Sequence, residues 1–308
     1  MDTGENWPNL FIPGAAKSGT SSLHLYLAQH PDIFMSADKE PAFFSSPPRW
    51  ETHMKNYLAL FAQGADYRYK GESSTDYMMS EVAVKQIKAV SPKAKFIFIL
   101  RNPIDRAYSH YQWLKGMGFE KASFQQSFLL DNGRALGQLN STAVGTTSYY
   151  QEGLYTHWLS AYFQTFGKEN IYLITSEDLR QAPLATVNGC FQFLGLPPVF
   201  SLQEIKANDT KQVGRAGLYR WSRTVASGQS QTFLKSIYRR VFPDALRIVW
   251  RRWFLQVVEK TAGAPKNKPD SSSLDIAQRN WVASFYREDV ATLKKLTGLP
   301  LHQWPDFL

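Results

Sequence analysis

Cysteine is all but missing from this chain of 308 residues, where Cys190 stands alone. A single thiol cannot close an intrachain disulfide or build a zinc cluster, which leaves a reducing compartment or a fold that needs no staples. Long apolar runs are missing too. The opening MDTGENWPNLF is acidic where a secretory signal is basic, and its apolar run stops at Gly14, too short for a signal core or a membrane span. The expected location is therefore cytoplasmic. Charged residues make up only 20% against 44% hydrophobic, which excludes a disordered tail, and neither internal repeats nor low-complexity tracts are found. The length prior of about two domains gives way to one α/β domain over residues 1–308, with an insertion-like basic and aromatic segment at about 211–264.

What is present in excess is positive charge, and it is local. The chain carries a net +9. Residues 211–260 hold eleven Lys or Arg against Asp244 and Glu259 alone, so this stretch has an excess equal to that of the whole chain. Between 218 and 258 the cations interleave with Trp221, Tyr238, Phe242, Trp250, Trp253 and Phe254. Such a stretch suits peripheral contact with an anionic membrane or an acidic acceptor. The plainer alternative is a pair of helices whose rings pack inward while the arginines face water. No DNA- or RNA-binding module accompanies it, so nucleic acid is not an expected partner.

Three short apolar runs, Leu10 to Ile12, Phe96 to Leu100 and Ile171 to Ile174, read as buried parallel strands. Helical periodicity follows each, and further helices are predicted at 80–90, 153–166, 182–194 and about 275–297, with Gly298 as a stop. The fold class is α/β, a mostly parallel sheet flanked by helices. A linker, PKNKPDSSS at 265–273, precedes the last helix.

After the first strand comes GAAKSGTSSL, with Gly14 and Gly19 spaced as in the phosphate-binding GxxxxGK[ST] loop. Thr20 occupies the usual lysine position, Ser21 that of the magnesium-binding hydroxyl, and the lysine has moved to Lys17. The glycines permit a tight turn with inward amides, the following helix start favours an anion, and Thr20, Ser21 and Ser22 add hydroxyl donors. The alternative is a Gly-rich turn without a ligand. The second strand ends in RNPIDRAYSHY, where Asn102 can cap and Pro103 can open a helix, leaving Arg101 at the carboxyl edge where α/β sheets bind ligands. Its alternative partner is Asp105.

These residues resemble a family. GAAKSGTSSL is similar to the 5′-phosphosulfate loop, and RNPIDRAYSHY to the 3′-phosphate motif, of sulfotransferases that use 3′-phosphoadenosine 5′-phosphosulfate (PAPS). KEPAFFS at 39–45 resembles the KExxFF segment of heparan-sulfate-type members, and the resemblance continues through GESSTDYMMSEV, GLYTHWLSAY, FLGL and a C-terminal helix ending near Trp304. It implies a P-loop-like sulfotransferase fold and transfer of a sulfuryl group from PAPS to a hydroxyl or amine of a glycan, lipid or small metabolite, without a metal. Lys17 then assists departure of the phosphate, Ser18, Gly19, Thr20 and Ser21 hold the 5′-phosphate, and Arg101 and Ser109 hold the 3′-phosphate. Arg215, with Lys211 as second choice, belongs to a closing loop at 208–217. Glu40 aligns with the general base, with Phe43 and Phe44 as neighbours able to desolvate it; the plainer reading of Lys39 and Glu40 is a solvated charge pair. Where the family carries a lysine after the Glu of GESSTDY this chain has Ser73, and Lys39 is a candidate substitute. His110 and His157 fall in no matching motif. Two competing classes are a P-loop-type nucleotide kinase, which lacks the GK pair here, and a non-catalytic anion- or membrane-binding module.

Overall fold

Strands form in this chain where residues alternate between two covered faces. The computed structural model describes residues 6–45, 50–116, 119–135, 148–205 and 274–308. In chain order these build β1 (Leu10–Ile12), α1 (Thr20–Leu27), β2 (Ile33–Met35), α2 (Trp50–Ala59), β3 (Tyr69–Ser73), α3 (Glu81–Val90) and β4 (Lys95–Leu100). There follow α4 (Pro103–Gly116), α5 (Phe124–Ala135), α6 (Tyr155–Phe166), β5 (Ile171–Thr175), α7 (Ser176–Gln181), α8 (Pro183–Phe193) and a C-terminal helix, Ile276–Thr297. The sheet order is β2-β3-β1-β4-β5, and every pairing is parallel.

Both faces of the sheet are dry. Leu10, Ile12, Ile97 and Ile99 share one core with Leu23 and Leu27 of α1 and Phe191 of α8. Their neighbours in sequence point the other way, where Phe96 stacks on Phe11 and meets Tyr162 and Phe166 of α6. Two-sided burial is what near-continuous apolar strands require, and it accounts for the three runs read from sequence. Two strands went unread. β2 is only three residues, and β3 reads Tyr-Lys-Gly-Glu-Ser, a pattern that looks like surface loop. Gly71 belongs there because an added Cβ would collide with Met35 Sδ on the adjacent strand.

β1 sits between β3 and β4, and the chain leaves it toward β2 but leaves β4 toward β5. The crevice between the carboxyl ends of β1 and β4 is thus the point where the winding reverses, the usual ligand site of such sheets.

The chain divides into two compact units, Met1–Ala107 with Ser148–Ala207 and Asp275–Leu308, and Tyr108–Thr147 with Asn208–Leu274. The first contains the sheet. In the second, Tyr108, Tyr111 and Phe128 gather around Phe124. The linker at 265–273 and the basic segment at 211–264 lie outside the described residues. No helix among the described residues is long and apolar enough to cross a membrane.

The C-terminal helix opens with a capping box from Asp275 and Gln278 and stops at Gly298, whose φ of 71° suits glycine. It ends before Trp304, which lies buried in the segment beyond, its indole donating to Glu177 at 3.2 Å. Asn102 starts α4 as expected, its Oδ1 accepting from the Ile104 amide at 3.0 Å while its Nδ2 donates to Asp306 at 2.8 Å. Asn102→Ala should therefore lower unfolding free energy by about 1–2 kcal/mol in urea melts, the cost of a lost cap plus one lost hydrogen bond to Asp306.

Candidate active site

The turn between β1 and α1 is shaped by what its backbone cannot avoid. At Gly14 an added Cβ would meet Met78 Sδ at 2.7 Å, and Gly19 adopts φ 101°, so glycine is required at both ends. Lys17 also lies in the left-handed region, at φ 67°. Ala15 and Gly14 extend the pairing with β4, the Ala15 amide donating to the Ile99 carbonyl at 2.8 Å and the Ile99 amide to the Gly14 carbonyl at 2.9 Å. Gly19 begins α1 without a side-chain cap, which leaves first-turn amides and the positive helix end facing the turn. Ser18 is fully buried, and its Oγ has no hydrogen-bond partner among the described residues. Thr20 is buried, and Ser21 and Ser22 are half-buried.

Arg101 follows β4 directly, and its Nη1 donates to the Lys17 carbonyl at 3.0 Å. The two strand ends read separately from sequence are thus brought together. The Arg101 carbonyl is held by the Tyr155 hydroxyl at 2.7 Å, while its Nε is buried without a partner among the described residues. Asp105 is not its ion-pair partner; that carboxylate bridges Arg279 at 2.7 Å. Burial, then the Arg101 charge, pulls the Lys17 ammonium below its ordinary pKa; Lys39 adds to the shift and Glu152 opposes it. Burial likewise lowers the Arg101 guanidinium, against the opposing pull of Asp105. Cations disfavoured in this way favour an anion among them.

Glu152, which no spacing signal reveals, completes the turn. It is 4% exposed, accepts the Ala16 amide at 2.9 Å and pairs with the fully buried Arg106 at 2.8 Å. Arg106 also donates to the carbonyls of Ser148 and Tyr149.

Glu40 lies on the loop after β2, with φ 60°. Its amide donates to the Ser73 carbonyl at 2.9 Å, and its Oε2 accepts the Thr75 amide at 2.8 Å. Lys39 Nζ sits 2.7 Å from Glu40 Oε1, with side-chain exposures of 27% and 42%, so the charge pair of the plainer reading does exist. It is not remote, since the Lys39 charge acts on both Lys17 and His24. Phe43 and Phe44 do not sheath the carboxylate. They pack with Trp7 and Tyr57, because a buried aromatic cluster offers rings more contact than a half-exposed carboxylate. Ser73, at the family's lysine position, is fully buried, its Oγ 2.8 Å from His24 Nδ1.

Ser109 lies on α4 in the second unit, and Lys211 and Arg215 lie outside the described residues. His110 is buried beside the Trp113 ring, and His157 is exposed beside Trp158. No group of three side chains able to hold a metal ion occurs among the described residues.

Residues 8–232 match the family described as sulfotransferase domain, and the chain belongs to that family. Human bifunctional heparan sulfate N-deacetylase/N-sulfotransferase 2 is 25% identical over 253 residues, which is 79% of this chain and 27% of that protein. The human N-deacetylase/N-sulfotransferase 1 is 28% identical over 262 residues, 77% of this chain and 29% of that protein. The chain thus spans under a third of the length of these curated relatives. A sulfotransferase from Alicyclobacillus acidocaldarius superposes with a TM-score of 0.66 at 26% identity, covering 97% of this chain and 99% of that one. The parallel sheet with its P-loop-like first turn agrees with that class.

Two outcomes follow for stability. Arg106→Met strands the Glu152 carboxylate and should cost about 3–5 kcal/mol in denaturant melts. Burial, with the Lys39 charge, lowers His24 from 6.5 to about 4. A depressed folded pKa means that the histidine's contribution is complete above pH 6.5 and lost as pH falls through about 4, a loss of up to about 3 kcal/mol. In His24→Gln that part of the acid slope should vanish from urea midpoints measured between pH 7 and 4.

Proposed function

We propose that the chain transfers a sulfuryl group from PAPS to a hydroxyl or amine acceptor, with Glu40 as the base and Lys17 at the leaving phosphate. The observation that carries this reading is the pairing of two cationic strand ends at one crevice: Arg101 is hydrogen-bonded to the Lys17 carbonyl, and its buried Nε and the buried Ser18 Oγ stand without partners among the described residues. Those orphaned donors fit a ligand with two anionic ends, as adenosine 3′,5′-bisphosphate is. The turn residues Ser18, Gly19, Thr20, Ser21 and Ser22 would hold the 5′ end and Arg101 the 3′ end, with Ser109, Lys211 and Arg215 as further contacts.

When bound, PAPS supplies an activated sulfur whose bond to the 5′-phosphate oxygen breaks as the acceptor oxygen or nitrogen bonds to it. The chain's own work is to place charges. The Lys17 ammonium neutralises negative charge growing on the departing phosphate, and turn amides and hydroxyls fix its oxygens without reorganising. Glu40 takes the acceptor proton. Its carboxylate is oriented by the Thr75 amide and paired with Lys39, and its 42% exposed side chain is reached by an acceptor from solvent. Lys39 stands in for the absent lysine at position 73, adding a cation whose field reaches Lys17. Peripheral contact of residues 218–258 with an anionic membrane, and a cytoplasmic location, belong to the same proposal.

Calorimetric titration with adenosine 3′,5′-bisphosphate tests the donor site: Lys17→Ala should weaken binding by about ten- to a hundredfold, the worth of a charged hydrogen bond. Labelled PAPS with an acceptor panel tests the chemistry. Glu40→Ala should lose about 10²–10⁴ in turnover with nucleotide affinity nearly unchanged. Absence of nucleotide binding by the wild type overturns the reading.

A further inference from the structure

Beneath the Glu40 loop lies a carboxyl group that the transfer chemistry does not use. Glu72, on β3, is fully buried and accepts three hydrogen bonds, from Tyr57 at 2.6 Å, Ser74 at 2.7 Å and Tyr77 at 2.9 Å. Two of those hydroxyls in turn accept backbone amides of the loop, Ser74 from Ala42 at 3.0 Å and Tyr77 from Phe44 at 3.2 Å. The third donor, Tyr57, stacks its ring on Phe43 with centroids 4.2 Å apart and planes within 9°. Three consecutive loop residues are therefore referenced to one carboxylate.

The direction of these relays is set by proton supply. A hydroxyl has one proton, and once it is given to Glu72 only lone pairs remain to face the loop. An ionised carboxylate can only accept, so it keeps both relays pointing inward. The loop needs such support. Glu40 and Ala42 hold φ of 60° and 52°, a region that residues with side chains keep only when their surroundings over-determine it.

We propose that Glu72 is a positioning residue for Glu40, holding the base in place through the Ser74 and Tyr77 relays and releasing it when the carboxyl is protonated. The inference rests on the reading of Glu40 as base. The groups facing Glu72 are Tyr57 from α2, Ser74, Asp76 and Tyr77 from the turn after β3, and Tyr162 from α6, whose hydroxyl donates to the Tyr77 carbonyl at 2.7 Å. None of them is a cation. Burial pushes the Glu72 pKa up to about 7; the three hydroxyls restrain that rise and the Asp76 charge adds to it. Protonation gives the carboxyl an O–H among three hydroxyls that already donate to it, so one of them loses its acceptor, and where that one is Ser74 or Tyr77 the relay to the loop slackens. The loop is pinned above pH 7 and loosened below it.

Amide exchange of the 40–45 segment, corrected for intrinsic rates, tests this without turnover. Protection at Ala42 and Phe44 should fall about tenfold between pH 8 and 6 in the wild type, and be low and flat with pH in Glu72→Gln. Ser74→Ala, which keeps the buried carboxylate, should lose protection at Ala42, so a folding failure of Glu72→Gln leaves the question answerable. In transfer assays Glu72→Gln should lower kcat by about ten- to a hundredfold with nucleotide affinity unchanged. Tyr57→Phe removes a donor that restrains the Glu72 pKa but touches neither amide, and should move the acid limb of the rate profile to higher pH. Unchanged protection in both Glu72→Gln and Ser74→Ala overturns the proposal, as does an acid limb that Tyr57→Phe leaves in place. Loss of nucleotide binding by the wild type would instead remove the transfer reading and leave the exchange result standing.

Discussion

Lys17 and Arg101 are like charges that the sheet forces into company. Parallel pairing of β1 with β4 brings both strand ends to one edge, and the guanidinium closes the gap by donating to the lysine's carbonyl. Burial and repulsion make that arrangement unfavourable for Lys17 until negative charge arrives. Much nearby structure serves to hold it. Tyr155 fixes the Arg101 carbonyl, and Glu152 takes the Ala16 amide while anchored to Arg106. An anion entering there meets groups already oriented, which is how a small site acquires large electrostatic effect.

Two buried carboxylates near the turn are stabilised by opposite means. Glu152 has a full counter-charge in Arg106, so its ionised form is paired inside the protein. Glu72 has only hydroxyls for partners among the described residues, and a neutral acid is therefore within reach at ordinary pH. One is a fixed strut and the other an adjustable one. Their placement fits that difference, with Glu152 under the turn between β1 and α1 and Glu72 under the loop that bears Glu40.

Much of the scaffold is legible in the amino acids alone, and the limits have physical causes. β1, β4 and β5 stand out because two-sided burial makes them continuously apolar. β3 is hidden because its lysine, glycine and glutamate mimic a loop, the glycine serving close approach to Met35 and the glutamate being satisfied by hydroxyls from elsewhere in the chain. Strand order depends on crossovers that no local pattern encodes. Lys17 and Arg101 are legible because glycine spacing and a strand-end arginine are local signals. Glu40 was reached through resemblance, and its surroundings were not: the two phenylalanines beside it turn to Trp7 and Tyr57 instead. Arg106 and Glu152, 46 positions apart, join across a separation that leaves no trace in spacing.

The lone thiol carries a practical consequence. Cys190, on α8, is buried in the core, donates to the Thr186 carbonyl at 3.4 Å, and has its pKa pushed up to about 12 by burial. Thiolate is the reactive form, so to a maleimide or a spin-label reagent the folded chain is effectively blank. A cysteine introduced at an exposed position of the Glu40 loop would be the sole attachment point, and a fluorophore there would report the loop's excursions against a silent background.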